Sequence, residues 1–154
     1  MVDAWVLVAD RARARLFSLD GSVPRLIEIV DFVNPAARTP GHEREHAPPP
    51  RVHDRFGESR HAIEAHTSPR EKAALQFAAM LGSHLKHAHD ERRYRELVLI
   101  APPRFLGALN VVLGARLGEA ILLRVSKNLT RSPASEIREA LPDKLFKRSP
   151  VANG

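Results

Sequence analysis

Residues 51–66, RVHDRFGESRHAIEAH, gather three histidines, three arginines and three acids around a single glycine, and GHEREH lies just upstream. Side chains of these types can hold a metal, activate a nucleophile or bind phosphate. His42-Glu43-Arg44-Glu45-His46 matches H-E-x-x-H, the zinc-hydrolase pattern. That pattern works on a helix, where histidines four apart point the same way and the Glu stands beside the metal-bound water. Here Pro40-Gly41 precedes it and Pro48-Pro49-Pro50 follows, which leaves room for about one helical turn. His42 and His46 are therefore weak metal candidates, with Glu58, His61 and Glu64 as ligands that could reach from the loop. Asp54, Ser59 and His61 supply the residue types of a nucleophilic triad, but triad geometry normally comes from distant segments of a rigid scaffold. Asp10 and Asp31, at the ends of strand-like runs, could pair for two-metal chemistry. Acids at such places are more commonly turn formers. No catalytic residue, metal or cofactor is expected, and a hydrolase using the loop histidines stays open as an alternative.

The elements that must position these residues are legible from periodicity. Trp5–Ala9 reads as a buried strand and Ala14–Leu19 as its hairpin partner across the Asp10–Arg13 turn. Leu26–Val33 makes a third strand, ended by Asn34-Pro35. Residues 34–66 show no period, and an aperiodic loop of that length within a domain is usually functional or disordered. At Ser68-Pro69-Arg70-Glu71 the pattern changes: an N-cap, a proline at the first helical position and the acid of a capping box. Ala74, Phe77, Ala78, Leu81, Leu85 and Ala88 then mark one face of a helix running to about Asp90. His84, His87 and Glu91 are expected on its solvated side.

Leu97–Ala101, wholly apolar, predicts a central strand covered on both faces. Phe105–Leu113 predicts a helix closed by Gly114. Ile121–Val125 is a further strand, and Ser132-Pro133 opens a last helix that Pro142 stops. Lys127 and Arg131 follow that strand, at the carboxyl end where α/β sheets collect ligands. The order β-β-β-loop-α-β-α-β-α predicts an α/β domain over residues 1–142, with a basic, flexible tail from Asp143.

Composition sets the class of partner. With 154 residues, 44% hydrophobic content and no cysteine, one domain with an aliphatic core and no thiolate chemistry is expected. The net charge of +6 is uneven: residues 67–95 carry an excess of +3 and residues 96–154 one of +4, while the histidine loop is balanced. A basic half-surface suits a polyanion such as RNA. The start, MVDAWVLVADRARARLF, lacks the basic stretch and long apolar run of a secretory signal, so a cytoplasmic protein without membrane contact is expected.

WVLVADRARARLF, FGESRHAIEAHTSPREKAALQFA, ELVLIAPPRFLGALNVVL and VSKNLTRSPASEIREAL occur in this order. Together they resemble the bacterial host attachment protein family over roughly residues 4–142, most specifically in Ala101–Gly107, APPRFLG. That family is similar to the middle domain of archaeal and eukaryotic peptide-chain release factors and of Pelota. The resemblance implies a ribonuclease H-like mixed sheet of about five strands. In the release factors the long loop before the long helix carries the Gly-Gly-Gln that helps hydrolyse peptidyl-tRNA. This chain has Phe56-Gly57-Glu58-Ser59-Arg60-His61 there, and its only glutamine, Gln76, lies within the helical pattern. The resemblance thus implies RNA or ribosome binding without hydrolysis. Arg51, Arg55, Arg60, His61 and His66 would be phosphate contacts and Gly57 a hinge. The family's phenotype leaves open a second expectation, a surface-interaction protein acting through a protein partner.

Overall fold

The computed structural model describes residues 2–20, 23–38 and 68–146. Three strands come first, β1 (Val2–Ala9), β2 (Arg13–Asp20) and β3 (Val23–Val33), then a single helical turn, α1 (Pro35–Arg38). After these come α2 (Pro69–Asp90), β4 (Tyr94–Ala101), α3 (Pro103–Gly118), β5 (Ile121–Ser126), α4 (Ala134–Glu139) and a 3-10 turn, Asp143–Leu145. The strands form one sheet in the order β3-β2-β1-β4-β5. β1, β2 and β3 pair antiparallel, whereas β4 and β5 run parallel to β1. This is the expected α/β arrangement, one mixed sheet of five strands with helices packed on it.

β1 and β4 lie inside the sheet and are covered on both faces, which is why Trp5–Ala9 and Leu97–Ala101 contain no polar residue. On one face α2 and α3 lay down Phe77, Leu81, Leu85, Phe105, Leu109 and Leu113 against Trp5, Leu7, Leu16, Leu97 and Leu99. On the other, Ile137, Leu141, Leu145 and Phe146 cover Val6, Val8, Phe17, Val98 and Ile100. Each fully buried Leu or Ile among them contributes about 1.5–3 kcal/mol. At the amino edge, Tyr94 stacks on Trp5 with ring centroids 4.6 Å apart and donates its hydroxyl to the Leu85 carbonyl at 2.8 Å. That bond satisfies the one polar atom of a fully buried ring, and burial pushes the phenol's pKa up.

Several boundaries differ from the sequence expectation; β1 and β4 begin at Val2 and Tyr94 rather than Trp5 and Leu97. β3 begins at Val23 rather than Leu26. α3 does not end at Gly114, which takes φ 72° and ψ 178° and kinks the helix; a further turn brings Leu117 into the core. A loose tail from Asp143 is corrected for its first residues: Leu145 and Phe146 are 4% exposed and close the second core layer, with the Arg138 guanidinium 4.1 Å above the Phe146 ring. The signal was apolar but too short to carry a period.

Two backbone features test this account. α2 ends in a Schellman motif, Arg93 N–H donating to Ala88 O at 3.0 Å and Arg92 N–H to His89 O at 2.9 Å. Its left-handed position is held by Arg92 at φ 58° where glycine is usual. Arg92→Gly should stabilise the protein by about 0.5–1 kcal/mol in urea unfolding, because the Cβ strain disappears. At the α2–α3 crossing, a Cβ on Gly82 would stand 2.8 Å from Val112 Cγ2. Gly82→Ala should cost about 1 kcal/mol net, overpacking outweighing the helix-propensity gain. In a Val112→Ala background the same change should turn stabilising.

Candidate functional site

β1, β4 and β5 are parallel, so Ala9, Ala101 and Ser126 end at one edge of the sheet, and the segments that follow them meet there. Asp10 opens the first. Its Oδ1 accepts from the Ala12 and Arg13 amides at 2.8 and 2.9 Å, fixing the hairpin turn. Its Oδ2 accepts the Thr130 hydroxyl at 2.8 Å, across 120 positions of sequence. Thr130 is 1% exposed, and its amide donates to Asn128 Oδ1 at 3.3 Å. From β2, Arg15 donates to the carbonyls of Thr130 and Ser132 at 3.2 and 2.7 Å and makes a two-pronged pair with Glu28, both contacts 3.0 Å. The hydrogen bond from Arg15 holds the Glu28 carboxyl below its usual pKa, and the same bond raises that of Arg15.

Buried Asn34 fixes the turn from behind. It donates to the carbonyls of Arg11 and Ala73 at 2.9 and 3.3 Å, while its own amide donates to Ala12 O at 2.9 Å. The hairpin turn, the start of α2 and the 127–132 loop are thus tied together. Ser68 Oγ caps α2 by accepting from the Glu71 amide at 3.1 Å, as the sequence suggested. The Glu71 carboxylate reaches Arg104 Nη1 on α3 at 3.4 Å.

Between these segments lies a groove of about 710 Å³. Arg11, Arg70, Arg104 and Arg131 line it, one each from the hairpin turn, the first turn of α2, the first turn of α3 and the loop after β5. Ala74, Leu75, Phe105 and Ala108 supply an apolar wall, and Asn128 joins the lining from the loop after β5. Asp10 and Glu71 are the acids present; both are already engaged, with the turn and Thr130 and with Arg104 respectively. The arrangement is a cationic rim over a partly apolar concavity, suited to an anion that also carries an apolar surface.

Of the residues anticipated from the sequence, Arg131 lines this groove, whereas Lys127 is exposed and is not among the lining residues. Arg51, Arg55, Gly57, Arg60, His61, His66, His42 and His46 lie outside the described residues, as do Asp54 and Ser59. Asp31 faces Arg15 in the β2–β3 register, on a different strand pair from the turn that Asp10 builds. Among the described residues no three His, Cys, Asp or Glu side chains are grouped to hold a metal. His87 and Glu91 do form an exposed pair at 3.0 Å. His84 does not share that solvated face: it packs on Phe32 and Trp5, centroids 5.2 and 6.4 Å away, and burial followed by the Arg93 charge lowers its pKa. Sequence reasoning missed Arg11, Arg70 and Arg104. Each stands just after a strand end or at a helix start facing the carboxyl edge, and that rule alone could have found them.

A family model described as "protein required for attachment to host cells" matches residues 5–141. No curated protein matches the chain. The crystal structure of an archaeal translation termination factor, aRF1, aligns with 94% of this chain at 14% identity and a TM-score of 0.49; the chain spans 36% of that factor's length. Among the described residues no helix is long and apolar enough to cross a membrane.

The hydroxyl that ties the groove's rim, 2.8 Å from Asp10 Oδ2 and 3.1 Å from Asn128 Oδ1, can be removed by one substitution. Thr130→Val keeps the shape and deletes the hydroxyl that Asp10 accepts, and should lower stability by about 2 kcal/mol. Thr130→Ser should lose clearly less. Chemical denaturation of the three proteins decides this.

Proposed function

The chain belongs to the family of proteins required for attachment to host cells, and from that starting point we propose that it is a non-enzymatic, single-domain binder of RNA, including ribosomal RNA. The observation that carries this reading is the convergence of Arg11, Arg70, Arg104 and Arg131 from four separate segments onto one groove. Guanidinium groups recognise phosphate with two parallel N–H donors, and each phosphate neutralised releases counterions. The net charge of +6, concentrated in the second half of the chain, supplies the long-range attraction. Attachment then follows indirectly, through an effect on RNA within the cytoplasm. Peptidyl-tRNA hydrolysis is not part of the proposal, because the loop that the resemblance sets against the Gly-Gly-Gln loop of the release factors contains no glutamine.

The test is co-sedimentation with ribosomes and binding to labelled structured RNA over a salt series. Arg11→Ala and Arg131→Ala should each weaken binding and reduce the slope of log affinity against log salt by about 1. A second set, Arg51→Ala, Arg55→Ala and Arg60→Ala, asks whether the long loop shares the contact. Absence of any salt-sensitive association by the unmodified protein would overturn the RNA reading. A protein partner would then be the better one, with the exposed Ile27, Ile29 and Val33 of edge strand β3 as the surface to examine.

A further inference from the structure

The groove at the carboxyl edge is more selective than a cationic patch needs to be. A patch that reads only phosphates requires arginines on a convex or flat surface and gains nothing from an apolar concavity. Here Leu75 is 48% exposed at the groove wall, beside Ala74 and the partly buried Ala108. Such a side chain on the second turn of a helix has room to be covered. Asn128 uses its Oδ1 toward the Thr130 amide, which leaves both amide N–H donors for another acceptor. Charge, aliphatic wall and side-chain amide therefore line one cavity.

From this juxtaposition we infer that the groove receives one unpaired nucleotide, its phosphate at Arg11 and Arg131 and its base against Leu75, with Asn128 donating to a base or sugar acceptor. The inference rests on the RNA reading for the origin of that nucleotide, and it deepens that reading by naming what is bound. Duplex RNA offers a rod of phosphates, with its bases stacked out of reach in a deep, narrow major groove. A loop, bulge or single strand offers a splayed base with an apolar face and a polar edge, and these are the complements of Leu75 and Asn128. The wall is aliphatic, and Phe105, the aromatic residue of the lining, is only 5% exposed. Contact is thus by apolar covering rather than by stacking on an aromatic platform, and discrimination among the bases should be weak.

The shared chemistry is a nucleoside phosphate, from an RNA strand or from a free mononucleotide, and the experiment separates the two. Fluorescence anisotropy of the full chain is measured with a labelled single-stranded oligonucleotide of mixed sequence and with a blunt duplex of equal length. Unlabelled nucleoside monophosphate and inorganic phosphate serve as competitors. The single strand should bind more tightly than the duplex, and the monophosphate should compete better than inorganic phosphate. Leu75→Ala should weaken the single strand about fivefold and leave the duplex unchanged, and Leu75→Met should restore binding. Leu75 is half exposed, so neither variant threatens the fold.

Equal affinity for both forms, or no effect of Leu75→Ala while Arg11→Ala and Arg131→Ala still weaken binding, overturns the nucleotide inference and leaves RNA binding standing. Binding of a labelled nucleoside monophosphate, measured in the same way, while neither oligonucleotide binds keeps the pocket and overturns the RNA reading. Binding of none of these probes overturns both.

Discussion

The carboxylate of Asp10 is the junction on which the carboxyl edge depends. One oxygen closes the hairpin turn between β1 and β2, and the other takes the hydroxyl of Thr130 from the loop after β5. Without the first, Arg11 has no defined place; without the second, the loop bearing Arg131 is joined to the hairpin chiefly through Arg15. Arg15 in turn reaches that loop because Glu28 holds its guanidinium from β3. Charged hydrogen-bonding groups whose acceptors and donors are matched cost little to hold at the rim of a core, whereas one left alone there would be expensive. Asp10, Thr130, Arg15 and Asn34 thus build the edge that the groove's arginines stand on.

Much of the fold was legible because its signals are local and strong. Leu97–Ala101 announced a two-sided strand by containing nothing polar, and Ser68-Pro69 announced a helix start by the requirements of unpaired amides. What escaped was the extent of elements whose ends are set by tertiary contact. Gly114 looked like a terminator, yet the chain resumes the helix because Leu117 has a core position to fill. Leu145 and Phe146 looked like part of a tail because two apolar residues among basic ones have no period, and only the bare face of the sheet gives them a destination.

The candidate site was less legible, for a different reason. Chemistry-bearing residue types are concentrated in RVHDRFGESRHAIEAH, and attention goes to density. The groove's arginines are instead scattered singly at positions 11, 70, 104 and 131. Nothing in their immediate neighbours marks them; they share only a place in the topology. His84 carries the complementary lesson, since its spacing with His87 and Glu91 suggested a common exposed face. A step of three residues turns a helix by about 300°, so the edge of a face can fall under a neighbouring strand. Here Phe32 of β3 and Trp5 of β1 are that cover.

The second apolar layer has a consequence for how the chain comes into being. Val6, Val8 and Phe17 belong to the first hairpin, but the side chains that shelter them arrive with Ile137, Leu141, Leu145 and Phe146. During vectorial synthesis the N-terminal strands therefore emerge long before their cover, and one face of the nascent sheet stays greasy until Phe146 has left the exit tunnel. Topologies that join the first element to the last fold late, because loop closure must precede the contacts that reward it. A truncated or stalled chain would have its meander but neither its lid of apolar side chains nor the Thr130 tether, and it would be a natural client for holding chaperones.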